Sequence, residues 1–171
     1  MAEAAAPPAE RPEPLISYRG RVAPNWVDVN RHMNVSWYDR VFDMAEHTLF
    51  EAFGIEDGYI ARTRLSIFRL ERLVRYEREL LEADAIEVAS RVVWTDFRRV
   101  HHFHELRNVA KGYRAASVDA LSIHVDLRLR KSAPMSLPET TIPLARLARE
   151  HALLPQAEGV LARINGRRTS A

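Results

Sequence analysis

The feature that most constrains this chain is a long run of period-two alternation in its C-terminal half. Ala115, Ser117, Asp119, Leu121, Ile123, Val125, Leu127 and Leu129 alternate with Arg114, Ala116, Val118, Ala120, Ser122, His124, Asp126, Arg128 and Arg130. That is the pattern of a β-strand with two different faces. At about 3.3 Å per residue, such a strand outruns a flat sheet of ordinary size, so it should curve or carry a bulge. Partner strands precede it. Ile86, Val88, Ser90, Val92 and Trp94 share one face, with Glu87, Ala89, Arg91 and Val93 on the other. Thr95-Asp96 turns the chain, Arg98 to Val109 returns, and Lys111-Gly112 makes a second tight connection. Leu15 to Val22 reads as a first strand.

Between the first strand and the others lies one amphipathic segment, Val35 to Phe53. Tyr38, Val41, Phe42, Ala45, Leu49, Ala52 and Phe53 form a single helical stripe, and Asp39, Arg40, Asp43, Glu46, His47 and Glu51 fall on the remaining faces. Asn34 is the predicted N-cap, and Gly54-Ile55 a left-handed C-cap with its apolar contact. Asp57-Gly58 marks a loop, and Ala61 to Leu70 fits either a strand or an extended loop. Pro134, Pro138 and Pro143 end the last strand, and Leu144 to Leu154 and Val160 to Ile164 predict short terminal helices. Residues 1–14 are small, charged and proline-broken, the composition of a disordered tail. Residues 15–171 then form one domain. The expected class is α+β: a curved antiparallel sheet wrapped around one central helix. Its open edges and partly uncovered face need protection, so the chain is expected to pair as a homodimer, with a tetramer as a further step.

Composition narrows the function classes. There is no cysteine, which excludes disulfides, thiol catalysis and thiolate metal sites; it also fits a reducing, cytoplasmic setting. A net charge of +2 is too mild to predict a nucleic-acid partner. No apolar run approaches the ~18 residues of a membrane span, and the N-terminus lacks the pattern of a secretory signal.

The densest polar stretch is Asn25-Trp26-Val27-Asp28-Val29-Asn30-Arg31-His32-Met33-Asn34, placed directly before the helix. Its short polar side chains suffice to satisfy backbone donors where a chain reverses. They also lie where free N–H groups and the positive end of a helix dipole gather.

With Pro24, this stretch resembles the P-x-W-V-D-x-N-x-H-M-N phrase of hot-dog-fold acyl-CoA thioesterases, in the 4-hydroxybenzoyl-CoA thioesterase-like superfamily and within it the betainyl-CoA thioesterase type. The resemblance runs on through Tyr38, Val41-Phe42, Tyr76, Glu79, Arg99, His101 to His104 and His124-Val125-Asp126, covering roughly residues 18 to 134. It departs at Arg31, where the family usually has glycine, and at Leu73, where histidine is expected. Both departures bear on substrate more than on chemistry.

The resemblance implies an acyl-CoA substrate and points to Asp28 as general base or as nucleophile through a mixed anhydride. The amides of Asn34 and Val35 at the helix start can stabilise the oxyanion. Asn34 and Asn30 can hold the turn or position water, and His32 can meet substrate or Asp28, or simply pack. No metal and no cofactor is called for, CoA being part of the substrate. Arg98, Arg99, Arg128, Arg130 and Lys131, near strand ends, could meet the CoA phosphates or form a solvated rim. Asp119 sits on an apolar face and should be paired, raised in pKa or near a water-filled site: a structural pair with an arginine is the favoured reading, a second polar group near the reacting thioester the other. His102 and His104 share a strand face opposite His101, but with no assured carboxylate or third imidazole they fall short of a zinc site. Trp26, Trp37 and Trp94 could cage a quaternary ammonium, or serve as core. Two rivals remain. A hot-dog enoyl-CoA hydratase would space its Asp and His one residue further apart and follow them with a carboxylate, which here comes only at Asp39. A non-catalytic acyl-CoA binding module would show no turnover.

Overall fold

The computed structural model describes residues 12–161, so of the expected tail only residues 12–14 fall inside it, without regular structure. Six strands and three helices follow in the order β1 (Leu15–Arg21), α1 (Val35–Glu51), α2 (Asp57–Thr63), β2 (Leu65–Tyr76), β3 (Ala85–Thr95), β4 (Arg99–Asn108), β5 (Arg114–Asp126), β6 (Lys131–Ser132) and α3 (Pro138–Ala152). All strand pairs are antiparallel, in the sheet order β1-β3-β4-β5-β2, with β6 extending the edge of β5 past the start of β4. The sheet bends at register shifts in the β1, β2, β3 and β4 ladders, as strands this long require. It curls around α1, giving the wrapped α+β architecture that the alternation and the single helical stripe predict.

α1 is set by its ends. Asn34 Oδ1 accepts the Ser36 N–H at 3.0 Å. At the other end Gly54 takes a φ of +83°, and the Gly54 and Ile55 amides donate to Glu51 O (2.9 Å) and Phe50 O (3.0 Å). This is the glycine cap expected, with the helix closing at Glu51. The stripe buries Tyr38, Val41, Phe42, Ala45 and Leu49 against the sheet, but it also buries Glu46, which the spacing pattern placed on an outer face. Glu46 is only 3% exposed. Arg69 on β2 reaches across to its Oε2, with Nε at 3.0 Å and Nη2 at 2.5 Å.

Other expectations are corrected locally. Asp57-Gly58 opens a short helix instead of a loop: Tyr59 is fully buried and its hydroxyl meets His124 Nε2 at 2.9 Å, which anchors α2. The ambiguous stretch after it divides at Arg64, whose φ of +61° ends α2 before β2 begins. β5 stops at Asp126, four residues early, because Asp126 Oδ1 accepts the amides of Arg128 (2.7 Å) and Leu129 (3.0 Å) and turns the chain into β6. Pro138 opens α3 at its first turn, a position where a missing N–H costs nothing. Pro143 lies within that helix and does not break it. Val160 and Leu161 are not helical, and the rest of the second expected terminal helix lies outside the described residues.

β1 pairs with β3 only as far as Ser90, which leaves the farther edge of β3 without a strand. α3 occupies that place, and His151 Nδ1 accepts the Val92 N–H at 2.9 Å. Beyond α3 the chain crosses the sheet face turned away from α1. Arg91, Arg114 and Arg75 donate to the carbonyls of Pro155 (2.8 Å), Glu158 (2.9 Å) and Gly159 (2.8 Å), and the Leu161 amide donates to Asp119 Oδ2 at 2.7 Å.

Candidate active site

The polar turn folds on itself. The Asp28 N–H donates to His32 O (3.1 Å), the Arg31 N–H to Asp28 O (2.9 Å), and Val27 bridges to Met33. This tight reversal forces Arg31 to a φ of +65°, a left-handed conformation that glycine adopts freely and arginine does not. The family's glycine at this point thus has a backbone reason, and this chain carries the strain.

Within the turn, Asp28 Oδ1 accepts the Asn30 N–H at 2.8 Å and Oδ2 accepts Asn34 Nδ2 at 3.0 Å. The Asn30 backbone N–H first, and the Asn34 carboxamide second, hold the Asp28 carboxyl below the usual carboxylate range. It is therefore ionised at neutral pH, the state that a base or nucleophile needs. Asn34 has three tasks: its Nδ2 orients Asp28, its Oδ1 caps α1, and its own N–H donates to Trp26 O at 2.8 Å. That last bond corrects the expected pair of oxyanion donors, since the Asn34 amide is already spent. Val35, the first residue of α1, has an N–H with no acceptor among the described residues, and it lies at the positive end of a helix of 17 residues.

A cavity of about 370 Å³ opens at this helix start, lined by His32, Met33, Val35, Tyr38 and the segment Tyr76 to Glu79. His32 Nδ1 lies 3.3 Å from Met33 O and its ring lines the cavity; neither Asp28 nor Asn34 is among the lining residues, and the pair borders the cavity through Asn34's chain neighbours Met33 and Val35. Tyr38 and Tyr76 meet edge to face at 5.4 Å, and burial pushes the Tyr38 hydroxyl up to about 12, so it stays protonated. A second, larger cavity of about 710 Å³ runs between α1 and β2, with Asp43, Glu46, His47 and Arg69 in its wall. Sequence reading missed Glu46. Its one signal was spacing, because it falls four residues after Phe42 and three before Leu49.

The five cations do not converge on Asp28. Arg98 Nη1 bonds Ser132 Oγ at 3.1 Å, Arg99 pairs with Asp96 at 2.6 Å, and Arg128 Nη2 donates to Thr63 O at 3.1 Å. Arg130 and Lys131 line a third cavity of about 310 Å³ beside Phe68 and Leu70. All five sit where β2 begins, at the Leu65–Asp126 pair, whereas the Asp28 turn sits beyond its other end. Asp119 pairs with His101 Nε2 at 2.6 Å, not with an arginine, on the face away from α1, and so takes no part in the turn. Trp26 and Trp37 stack on each other at 4.6 Å, while Trp94 carries the Arg99 guanidinium 5.5 Å from its ring centre. The three tryptophans do not form one cage.

An antiparallel sheet curled round a single long helix defines a hot-dog fold, here with an aspartate held in the turn before that helix. The chain belongs to the Thioesterase-like superfamily, whose family model matches residues 22–143. It is 31% identical over 146 residues to a betainyl-CoA thioesterase of Pseudomonas aeruginosa, covering 85% of this chain and 91% of that protein. A putative thioesterase from Pseudomonas putida superposes with a TM-score of 0.70 at 28% identity, over 86% of this chain and 95% of that one. A Staphylococcus aureus protein solved in complex with CoA superposes with a TM-score of 0.78 over 85% of this chain and 92% of that one; at 18% identity it speaks to the fold. Among the described residues no helix is long and apolar enough to cross a membrane.

Proposed function

We propose that the chain hydrolyses an acyl-CoA thioester to the free acid and CoA at the start of α1, with the ionised Asp28 as the acting group and the Val35 N–H as oxyanion donor. The observation that carries this reading is the pairing of a carboxylate held ionised by Asn30 and Asn34 with an uncommitted amide seven residues later, inside a thioesterase family. The scissile carbonyl seats its oxygen on the helix start, where the dipole and N–H favour developing negative charge. Asp28 then takes a proton from water as it attacks, or itself attacks the carbonyl carbon, expelling CoA thiolate and leaving an anhydride for water to open. Single turnover in ¹⁸O water separates the two: the nucleophilic route can leave label in the Asp28 carboxylate, and the base route puts it only in the product acid.

The partner in this reading is a second copy. β2 is an edge strand with Phe68 and Leu70 about half exposed, an open ladder that invites pairing. Two copies joined antiparallel along β2 would bring the partner's cation-rich end alongside the Asp28 turn, where CoA phosphates need charge. The acyl pocket offers the Tyr38–Tyr76 edge and Glu79, with Arg78 also in the wall and Glu77 already paired with Arg114; the aromatic edge beside Glu79 is the feature that could receive a cationic acyl group such as that named for the betainyl relatives. A thiol-release screen across cationic, aromatic and short acyl-CoAs tests the proposal. Turnover that Asp28→Asn abolishes supports it; CoA binding without thiol release identifies a binding module, and loss of enoyl-CoA absorbance without thiol release identifies a hydratase.

A further inference from the structure

The sheet face beneath α1 carries a buried polar row that the hydrolysis does not use. His102 Nδ1 and His104 Nε2 point at one another across 2.7 Å, and both rings are fully buried. Their remaining nitrogens are each held by a serine on a neighbouring strand, His102 Nε2 by Ser122 Oγ at 3.0 Å and His104 Nδ1 by Ser90 Oγ at 2.5 Å. Ser90 is in turn held by Ser17 Oγ at 2.5 Å. Above them Glu46 descends from α1, with Oε2 taken by Arg69 and Oε1 buried without any partner. One ligand atom from each of Glu46, His102 and His104 lies within 4.8 Å of the other two.

We infer that Glu46, His102 and His104 form a binding site for a divalent transition metal, with zinc or cobalt as the fitting ions. Two imidazoles and one carboxylate, with a water completing the shell, are a recognised zinc set, and imidazole nitrogen selects such ions over magnesium or calcium. The serines do for these rings what outer-shell groups do at metal sites, fixing the tautomer and the ring plane. Glu46 Oε1 is the available ligand atom: the Arg69 and Arg72 guanidiniums lend the carboxylate positive charge, but neither donates a hydrogen bond to this buried oxygen. Metal–nitrogen distances near 2.0 Å require ligand atoms about 3.3 Å apart in a tetrahedron. The histidine pair need only open slightly and Glu46 move inward for an ion to replace the proton the two rings now share.

Charge does not forbid it. Arg69 and Arg72 face the site, but Arg69 is also paired with Asp43 and Arg72 with Asp39, so with Glu46 three carboxylates stand against two guanidiniums. Entry is available, since Glu46 lines the large cavity between α1 and β2. Sequence alone left the third ligand missing, and α1 supplies it from more than fifty residues upstream. Glu46 lies eleven residues beyond Val35, about 16 Å along the helix, so the ion would tie helix to sheet and leave the thioester site untouched.

The test uses the full chain, stripped with a chelator and dialysed against Co²⁺ alone, then Zn²⁺ alone. The expected result is one ion per chain, visible Co²⁺ absorption bands of a nitrogen and oxygen set that Zn²⁺ abolishes, and a melting temperature that rises with Zn²⁺ concentration. Glu46→Gln, which preserves shape, should weaken binding at least tenfold, while Glu51→Gln, an exposed carboxylate on the same helix and outside that cavity's wall, should leave it unchanged. Binding well below one ion per chain in the wild type overturns the inference, as does an affinity indifferent to both Glu46→Gln and His104→Asn. Should those variants fail to fold, the wild-type Co²⁺ spectrum decides by itself: bands of a surface-type, fully hydrated ion overturn the site.

Discussion

Two polar regions of this molecule are built on opposite plans. The turn before α1 satisfies itself from within: Asp28, Asn30 and Asn34 are bonded over spans of two and six residues and remain open to solvent or half-buried. The row beneath α1 is satisfied across the sheet, with Ser17, Ser90, His104 and His102 bonded over spans as long as 73 residues and wholly enclosed. Burial first, and the nearby Arg72 and Arg69 second, push the His104 imidazole down to about 3. The turn can therefore lose a group without unfolding the sheet, and reacting groups can be kept there. The row cannot, because each member removed strands a buried partner.

Asp28→Asn should cut kcat/KM by about 10³-fold, the usual scale for a displaced general base or nucleophile, with a melting temperature close to wild type. A large stability loss would show that the turn is structural after all. His104→Ala should do the reverse, costing about 3 kcal/mol in urea unfolding through a cavity and two stranded polar groups, with kcat changed far less than in Asp28→Asn. Asn34→Ala strikes both sides: loss of the helix cap costs about 1 kcal/mol, and Asp28 loses a donor that favours its ionised form. Because that donor holds the Asp28 pKa down, the acid limb of the wild-type pH–rate profile should lie below the ordinary carboxylate range and move to higher pH in the variant. Arg31→Gly is the smallest change and the only gain. Relief of the left-handed backbone should add about 1 kcal/mol of stability, and a rise in KM for acyl-CoA would show what the guanidinium returns for its strain.

The same contrast explains what could be read in advance. The long strands showed through alternation and α1 through its stripe, and the Asp28 motif was legible because its bonds run to near neighbours. α2 was hidden because seven residues carry too little period, and Asp57-Gly58 has the composition of a turn. The end of β5 was misplaced because Leu127 and Leu129 keep alternating through a bend that the Asp126 side chain makes. Glu46, Asp119 and the His102–His104 pair took their meaning from partners that only the fold brings near. The Asn34 amide was misassigned for the same reason, its acceptor being Trp26 across the turn.

The segment from Pro155 to Leu161 has one more effect. By lying over the back of the sheet, pinned by Arg75, Arg91 and Arg114 through the carbonyls it presents, it roofs a face that the strands alone would leave bare. Anything that approached this side of the molecule would meet that covering and its three guanidinium clasps before it met a strand.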